Sequence, residues 1–123
     1  MSMKPINYHN RHFRGVSNSG SGEVSGETVF LYRQKDKVVW ATYQGGGIRM
    51  GTLVATVAED GALDMRYSHV NADGELMTGM CQSTLEVLMD GRYRMYERWQ
   101  WTSGDKSSGE SVVEEFIPPD PAA

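Results

Sequence analysis

Apolar and polar residues alternate along most of this chain, and the alternation has a period of two. In Tyr93–Thr102, the residues Tyr93, Met95, Glu97, Trp99 and Trp101 fall on one side, and Arg94, Tyr96, Arg98, Gln100 and Thr102 on the other. Successive side chains of a strand point to opposite faces, so the first set reads as the inner one. Leu63, Met65, Tyr67 and His69 likewise oppose Asp64, Arg66 and Ser68. In Val38–Tyr43 both faces are apolar; the Val38, Trp40, Thr42 face is expected inside, against Val39, Ala41 and Tyr43. A helical period is hard to find. The alternating segments are broken by Asp60-Gly61, Asp73-Gly74 and Asp90-Gly91, by Lys35-Asp36, and by the loop SGDKSSG. Asp-Gly supplies the positive φ that hairpin turns require.

These marks predict about eight strands: Phe13–Ser17, Thr28–Arg33, Val38–Tyr43, Ile48–Val57, Leu63–Val70, Leu76–Thr84, Tyr93–Thr102 and Ser111–Ile117. Short connections in sequence order favour an all-β antiparallel meander, which removes its edges by closing into a small up-and-down barrel. A two-sheet sandwich would need longer Greek-key crossings. At this strand number the interior is either filled by side chains or holds one small ligand. The longest gap, Ser17–Glu27, is rich in Ser and Gly and is expected to lie as a flexible loop over one end. The 123 residues suit a single domain, with loose N-terminal residues and a loose PPDPAA tail.

Composition narrows the function classes. A net charge of -4, without a basic cluster, argues against nucleic acid as a partner. The single Cys81 excludes an intramolecular disulfide and fits a reducing compartment. The start, MSMKPINYHNRHF, has no apolar signal-like run, and no stretch approaches the length of a membrane-spanning helix. A soluble, cytoplasmic protein without a membrane partner is expected.

The candidate chemistry gathers on the inner faces. Trp40, Tyr67, Trp99 and Trp101 can line a pocket, with His69 and Glu97 orienting what enters it. The same tryptophans also suit plain core packing, and Glu97 can instead lie near a rim and reach water. A carboxylate that does point inward needs a partner or a proton.

Other motifs fail on inspection. GSGEVS and GGGIRM lack the last glycine of a dinucleotide loop and precede no helix. His9 and His12 are spaced so that their rings diverge on a strand, with no third ligand nearby, and no metal or other cofactor is expected. Cys81 has no adjacent activating residue. Glu97 and Glu115 can be drawn as a glycosidase-like carboxylate pair across neighbouring strands, although acids are common here and chance accounts for such a pairing.

Across RHFRGVSNSGSGEVSGETVFLYRQ, VWATYQGGGIRMGTL, LDMRYSHVNADGELMTGMCQS and ERWQWTSGD, the chain resembles a family of small bacterial single-domain proteins. Members often bear the label N-acetylglutamate synthase. The resemblance runs from about Ile6 to Ile117, and its hairpin pattern is similar to avidin and lipocalin barrels. The label implies acyl transfer. An acetyltransferase of the usual kind needs a pyrophosphate loop feeding a helix, and the sequence shows neither.

Three functions remain: a non-catalytic barrel binding a small, partly apolar molecule; an enzyme, either an acyl transferase or one using His69 and Glu97 as acid and base; or an interaction module with a filled core. A homodimer fits all three.

Overall fold

A computed structural model describes residues 5–118. Its strands are β1 (Arg11–Asn18), β2 (Val29–Lys35), β3 (Val38–Gly45), β4 (Ile48–Val57), β5 (Leu63–Asn71), β6 (Leu76–Val87), β7 (Tyr93–Trp101) and β8 (Ser108–Phe116). Each pairs antiparallel with the next, and β8 returns to β1, closing the barrel. The expected all-β meander is therefore the fold, and the sandwich is excluded. Several strands run past their expected ends. β6 continues to Val87 because Val87 pairs with Tyr93, and β8 begins at Ser108 opposite Gln100.

The three Asp-Gly marks close hairpins of one kind. In each, a residue before the turn accepts a bond from the glycine N–H: Ala58 from Gly61, Asn71 from Gly74, Leu88 from Gly91. Only the glycine takes positive φ (89°, 81° and 92°), so these are three-residue loops rather than two-residue turns. Asp60 and Asp90 also accept the N–H two residues on.

β3 turns the opposite way from expectation. Val39, Ala41 and Tyr43 are buried, while Trp40 stands on the outer face at 39% exposure, beside Val38 and Val54. The Asp36 turn pairs Lys35 with Val38, and that register sends every second residue after Val38 outward. Alternation could not decide between two apolar faces; the turn did.

The barrel has two unlike ends. At the end holding the β2–β3, β4–β5 and β6–β7 turns, residues 5–10 fold under the barrel. Tyr8 is fully buried there, packs edge-on to Tyr93 at 5.4 Å, and donates its hydroxyl to Gly61 O at 2.5 Å. Phe13, Tyr32, Val39, Met95 and Val113 fill the interior above it. Glu115 is buried here too, bonded to Arg11 at 2.8 Å and to the Tyr93 N–H at 3.0 Å. The other end is covered by the connection between β1 and β2. The expected loose tail lies outside the described residues from 119 onward, as do residues 1–4 at the start.

Candidate functional site

The inner faces of β3, β5 and β7 deliver aromatic rings toward the loop-covered end. Each ring lies against a glycine directly across the ladder: Tyr43 opposite Gly51, Tyr67 opposite Gly79, Trp99 opposite Gly109. A Cβ at any of these glycines would overlap the facing ring. The rings can therefore lie flat against the neighbouring strand and leave the barrel axis partly open. Beside them, Trp101 stands 5.7 Å from Trp99, 5.8 Å from Tyr67 and 5.6 Å from His69, measured between ring centres.

These rings surround a cavity of about 50 Å³. Phe30, Leu53, Met65 and Cys81 complete its apolar wall, and Glu97 with Ser111 forms its polar floor. The interior is thus packed at one end and open along part of its axis at the other. Of the residues expected to line a pocket, Tyr67, His69, Glu97, Trp99 and Trp101 come together here; Trp40 does not, because it faces outward.

Glu97 points inward, not to a rim, and is 8% exposed. Its Oε1 accepts the Ser111 hydroxyl at 2.8 Å, and among the described residues no donor reaches its Oε2. Burial pushes its carboxyl up to about 7, and the serine bond offsets only part of that. Burial also drives the Tyr43, Tyr67 and Cys81 protons well above their ordinary range, so these groups stay neutral. Cys81 is accordingly an apolar wall and not a nucleophile.

His69 is held from both sides. Its Nδ1 meets the Tyr43 hydroxyl at 2.9 Å, and its Nε2 meets Glu23 Oε1 at 2.7 Å. The arrangement in which Nε2 donates to the carboxylate and Nδ1 accepts from the tyrosine satisfies all three groups. Among the described residues no hydrogen bond joins His69 to Glu97. Glu97 and Glu115 do not form a glycosidase-like pair. Glu97 lies opposite Ser111, and Glu115 is four residues further along β8, about 13 Å at the usual strand rise. That is wider than the carboxylate spacing of a glycosidase.

The end of β1 and the connection that follows it supply the residues that strand patterning missed. Asn18 accepts the Trp99 Nε1–H at 2.9 Å, Ser21 accepts the Trp101 Nε1–H at 3.2 Å, and Glu23 receives His69 and the Asn71 amide. The expected loop is thus a cover pinned by its own polar side chains. The only sequence signal for this was a glutamate and an asparagine set among Ser and Gly. His9 accepts the Gln34 N–H, and His12 stands edge-on to Phe116. Among the described residues no group of three His, Cys, Asp or Glu is placed to hold a metal.

An eight-stranded antiparallel barrel, plugged at one end and holding an aromatic cavity under a loop at the other, defines the class. The chain belongs to the avidin-like family: the model described as avidin-like protein matches residues 6–116. No curated protein and no solved structure matches it.

Proposed function

We propose that the protein is a small-molecule-binding barrel that takes its ligand into the cavity beneath the β1–β2 connection. The observation that carries this reading is the floor of that cavity. A buried carboxyl has one hydroxyl partner and no counter-ion inside an aromatic enclosure, and burial raises its pKa; a ligand that supplies a donor to it would be held favourably. Tyr67, Trp99 and Trp101 provide apolar contact, and His69 and Glu97 provide direction. The ligand is small, partly apolar and hydrogen-bonding. Binding without catalysis fits a site whose histidine is already engaged on both ring nitrogens.

Tryptophan fluorescence tests this. Trp99 and Trp101 line the cavity and Trp40 does not, so a Trp40→Phe variant reports on the cavity alone. A saturable change with one member of a metabolite panel is the expected outcome; biotin belongs in the panel because avidin-like proteins bind small molecules of its kind. A panel that leaves emission unchanged, and thermal stability unchanged, counts against the proposal.

We also place the protein in the cytoplasm, on its single cysteine; no helix among the described residues is long and apolar enough to cross a membrane, which leaves strands unjudged. A homodimer would use the outer strip Val38, Trp40 and Val54, and sedimentation of Trp40→Arg tests that assignment.

A further inference from the structure

Resting on the binding reading above, the geometry points to a ligand class: we infer that the cavity selects a small organic cation, a protonated amine carried on a short apolar body, with its ammonium on Glu97 and its body between Tyr67, Trp99 and Trp101.

The first support is the inventory of charge. The cavity is lined by two carboxylates, Glu23 at the mouth and Glu97 at the floor, and by neither lysine nor arginine. The arginines nearest in sequence on the same strands, Arg66 and Arg98, are on the outer face. Glu23 is already spent on His69 and Asn71. Among the described residues Glu97 has only the Ser111 hydroxyl, on Oε1, and its Oε2 accepts no hydrogen bond.

The second support is the wall. Aromatic faces attract a cation and give an anion nothing. Four rings, Tyr43, Tyr67, Trp99 and Trp101, surround the space, and the indole N–H groups that could greet an anion are turned to Asn18 at the end of β1 and Ser21 on the covering segment. Depth fits as well. Trp99 and Trp101 follow Glu97 along β7 toward the mouth, so a molecule entering head-first puts its ammonium on the floor and its body among the rings.

Carboxylate, phosphate or coenzyme A ligands meet the opposite: two acids, no lysine or arginine, and a low dielectric that magnifies repulsion. The acyl-transfer reading is weakened on this ground, since its usual substrates are anionic.

Proton linkage follows from the same geometry. Glu97 holds a proton to about pH 7 because it is buried, and an ammonium would displace that proton. The groups facing it are Tyr32 from β2, Tyr43 from β3, Tyr67 and His69 from β5, Cys81 from β6 and Glu23 from the covering segment. The tyrosines and the cysteine stay neutral, and His69 is bonded elsewhere.

The test uses the full chain and three probes of one shape, short enough for the cavity: propylamine, propanol and propionate, titrated by calorimetry at about pH 8, where the amine is still charged and Glu97 has lost its proton. Propylamine should bind about tenfold or more tighter than the alcohol, with propionate weakest. Its affinity should fall from pH 8 toward pH 6 while the alcohol's stays level. Glu97→Gln should abolish the preference and its pH dependence; that variant removes a buried charge and should fold. If the alcohol or propionate binds as well as the amine, the cation inference is overturned and the binding barrel stands. If Glu23→Gln removes the preference and Glu97→Gln does not, the anchor is misassigned. If none of the three binds while another panel member does, the cation inference falls alone; if the whole panel fails, both fall.

Discussion

At the plugged end of the barrel Glu115 is buried with the Arg11 guanidinium 2.8 Å from one oxygen and a backbone N–H on the same atom. Toward the covered end Glu97 is buried to the same degree, with a serine hydroxyl on one oxygen and no partner on the other. Both glutamates sit on inner faces of adjacent strands. Glu115 has a guanidinium and a backbone N–H on its Oε1, and Glu97 has a single hydroxyl and no counter-ion; among the described residues neither has a donor on Oε2. The contrast extends to the rings around them. Tyr8 fills the bottom completely, whereas Tyr43, Tyr67 and Trp99 are folded back onto glycines and leave space. The plugged end gives its carboxylate a counter-ion, although the Tyr32 hydroxyl above it is buried without a partner among the described residues; the other end leaves its carboxyl without one, which is how functional sites commonly differ from cores.

The largest expected effect comes from breaking the plugged end. Tyr8→Ala removes a fully buried ring and its bond to Gly61 O. Loss of a large buried side chain costs about 3–5 kcal/mol, and urea unfolding should show it as a lower midpoint with little change in slope. A loss under about 1 kcal/mol would show that residues 5–10 contribute little, and that the two ends are alike.

Next is the unpaired carboxylate. Folding raises Glu97 from 4.5 to about 7. Between those values the folded protein keeps a proton that the unfolded chain releases, so this group's contribution falls as pH rises through the window and is constant below it. At about 1.36 kcal/mol per unit, the penalty approaches about 3 kcal/mol by pH 8. Glu97→Gln should therefore be the more stable protein at pH 8, by up to that amount, and match the parent near pH 4. The comparison of thermal midpoints across pH checks it. A variant less stable than the parent at pH 8 would mean that Glu97 is better satisfied than Glu115, reversing the contrast.

The glycine seats come third. Gly79→Ala puts a methyl into the Tyr67 ring, which must swing toward the cavity or strain β6. Overpacking of this kind costs about 1–3 kcal/mol. It should also close the cavity, so binding should fall further than stability does. Equal binding with unchanged stability would show that Tyr67 does not depend on that seat.

Much of this was readable from alternation. Glu97, Trp99 and Trp101 share a face by parity alone, and Leu63, Met65 and His69 likewise, so the inner positions of β5 and β7 follow from the sequence. β3 does not, because Val38–Tyr43 is apolar on both sides and its facing is set by the Asp36 turn and by ladder register. Pairing between distant segments was equally beyond pattern. Nothing local says that Glu23 meets His69 across 46 residues, or that Tyr8 meets Gly61 across 53. Gly51, Gly79 and Gly109 were visible inside predicted strands, but their meaning needed the register that sets each opposite a ring.

The smallest effect expected in stability concerns the cover itself. Ser21→Ala removes the acceptor for the Trp101 indole N–H at 3.2 Å, and Ser21 is exposed, so global stability should change by less than about 1 kcal/mol. Local opening should respond more. The β1–β2 connection is a long surface segment pinned by a few side-chain bonds, so hydrogen exchange at residues 19–27 should quicken while exchange in β7 stays slow. Ligand association should also speed up if this segment gates the cavity, with affinity little altered. The same substitution made at the plugged end has a different signature, since Tyr8 is part of the packed interior and its loss lowers protection throughout the barrel. Faster exchange everywhere in Ser21→Ala would show that the cover is as integral as the plug, and that ligand must enter by another route.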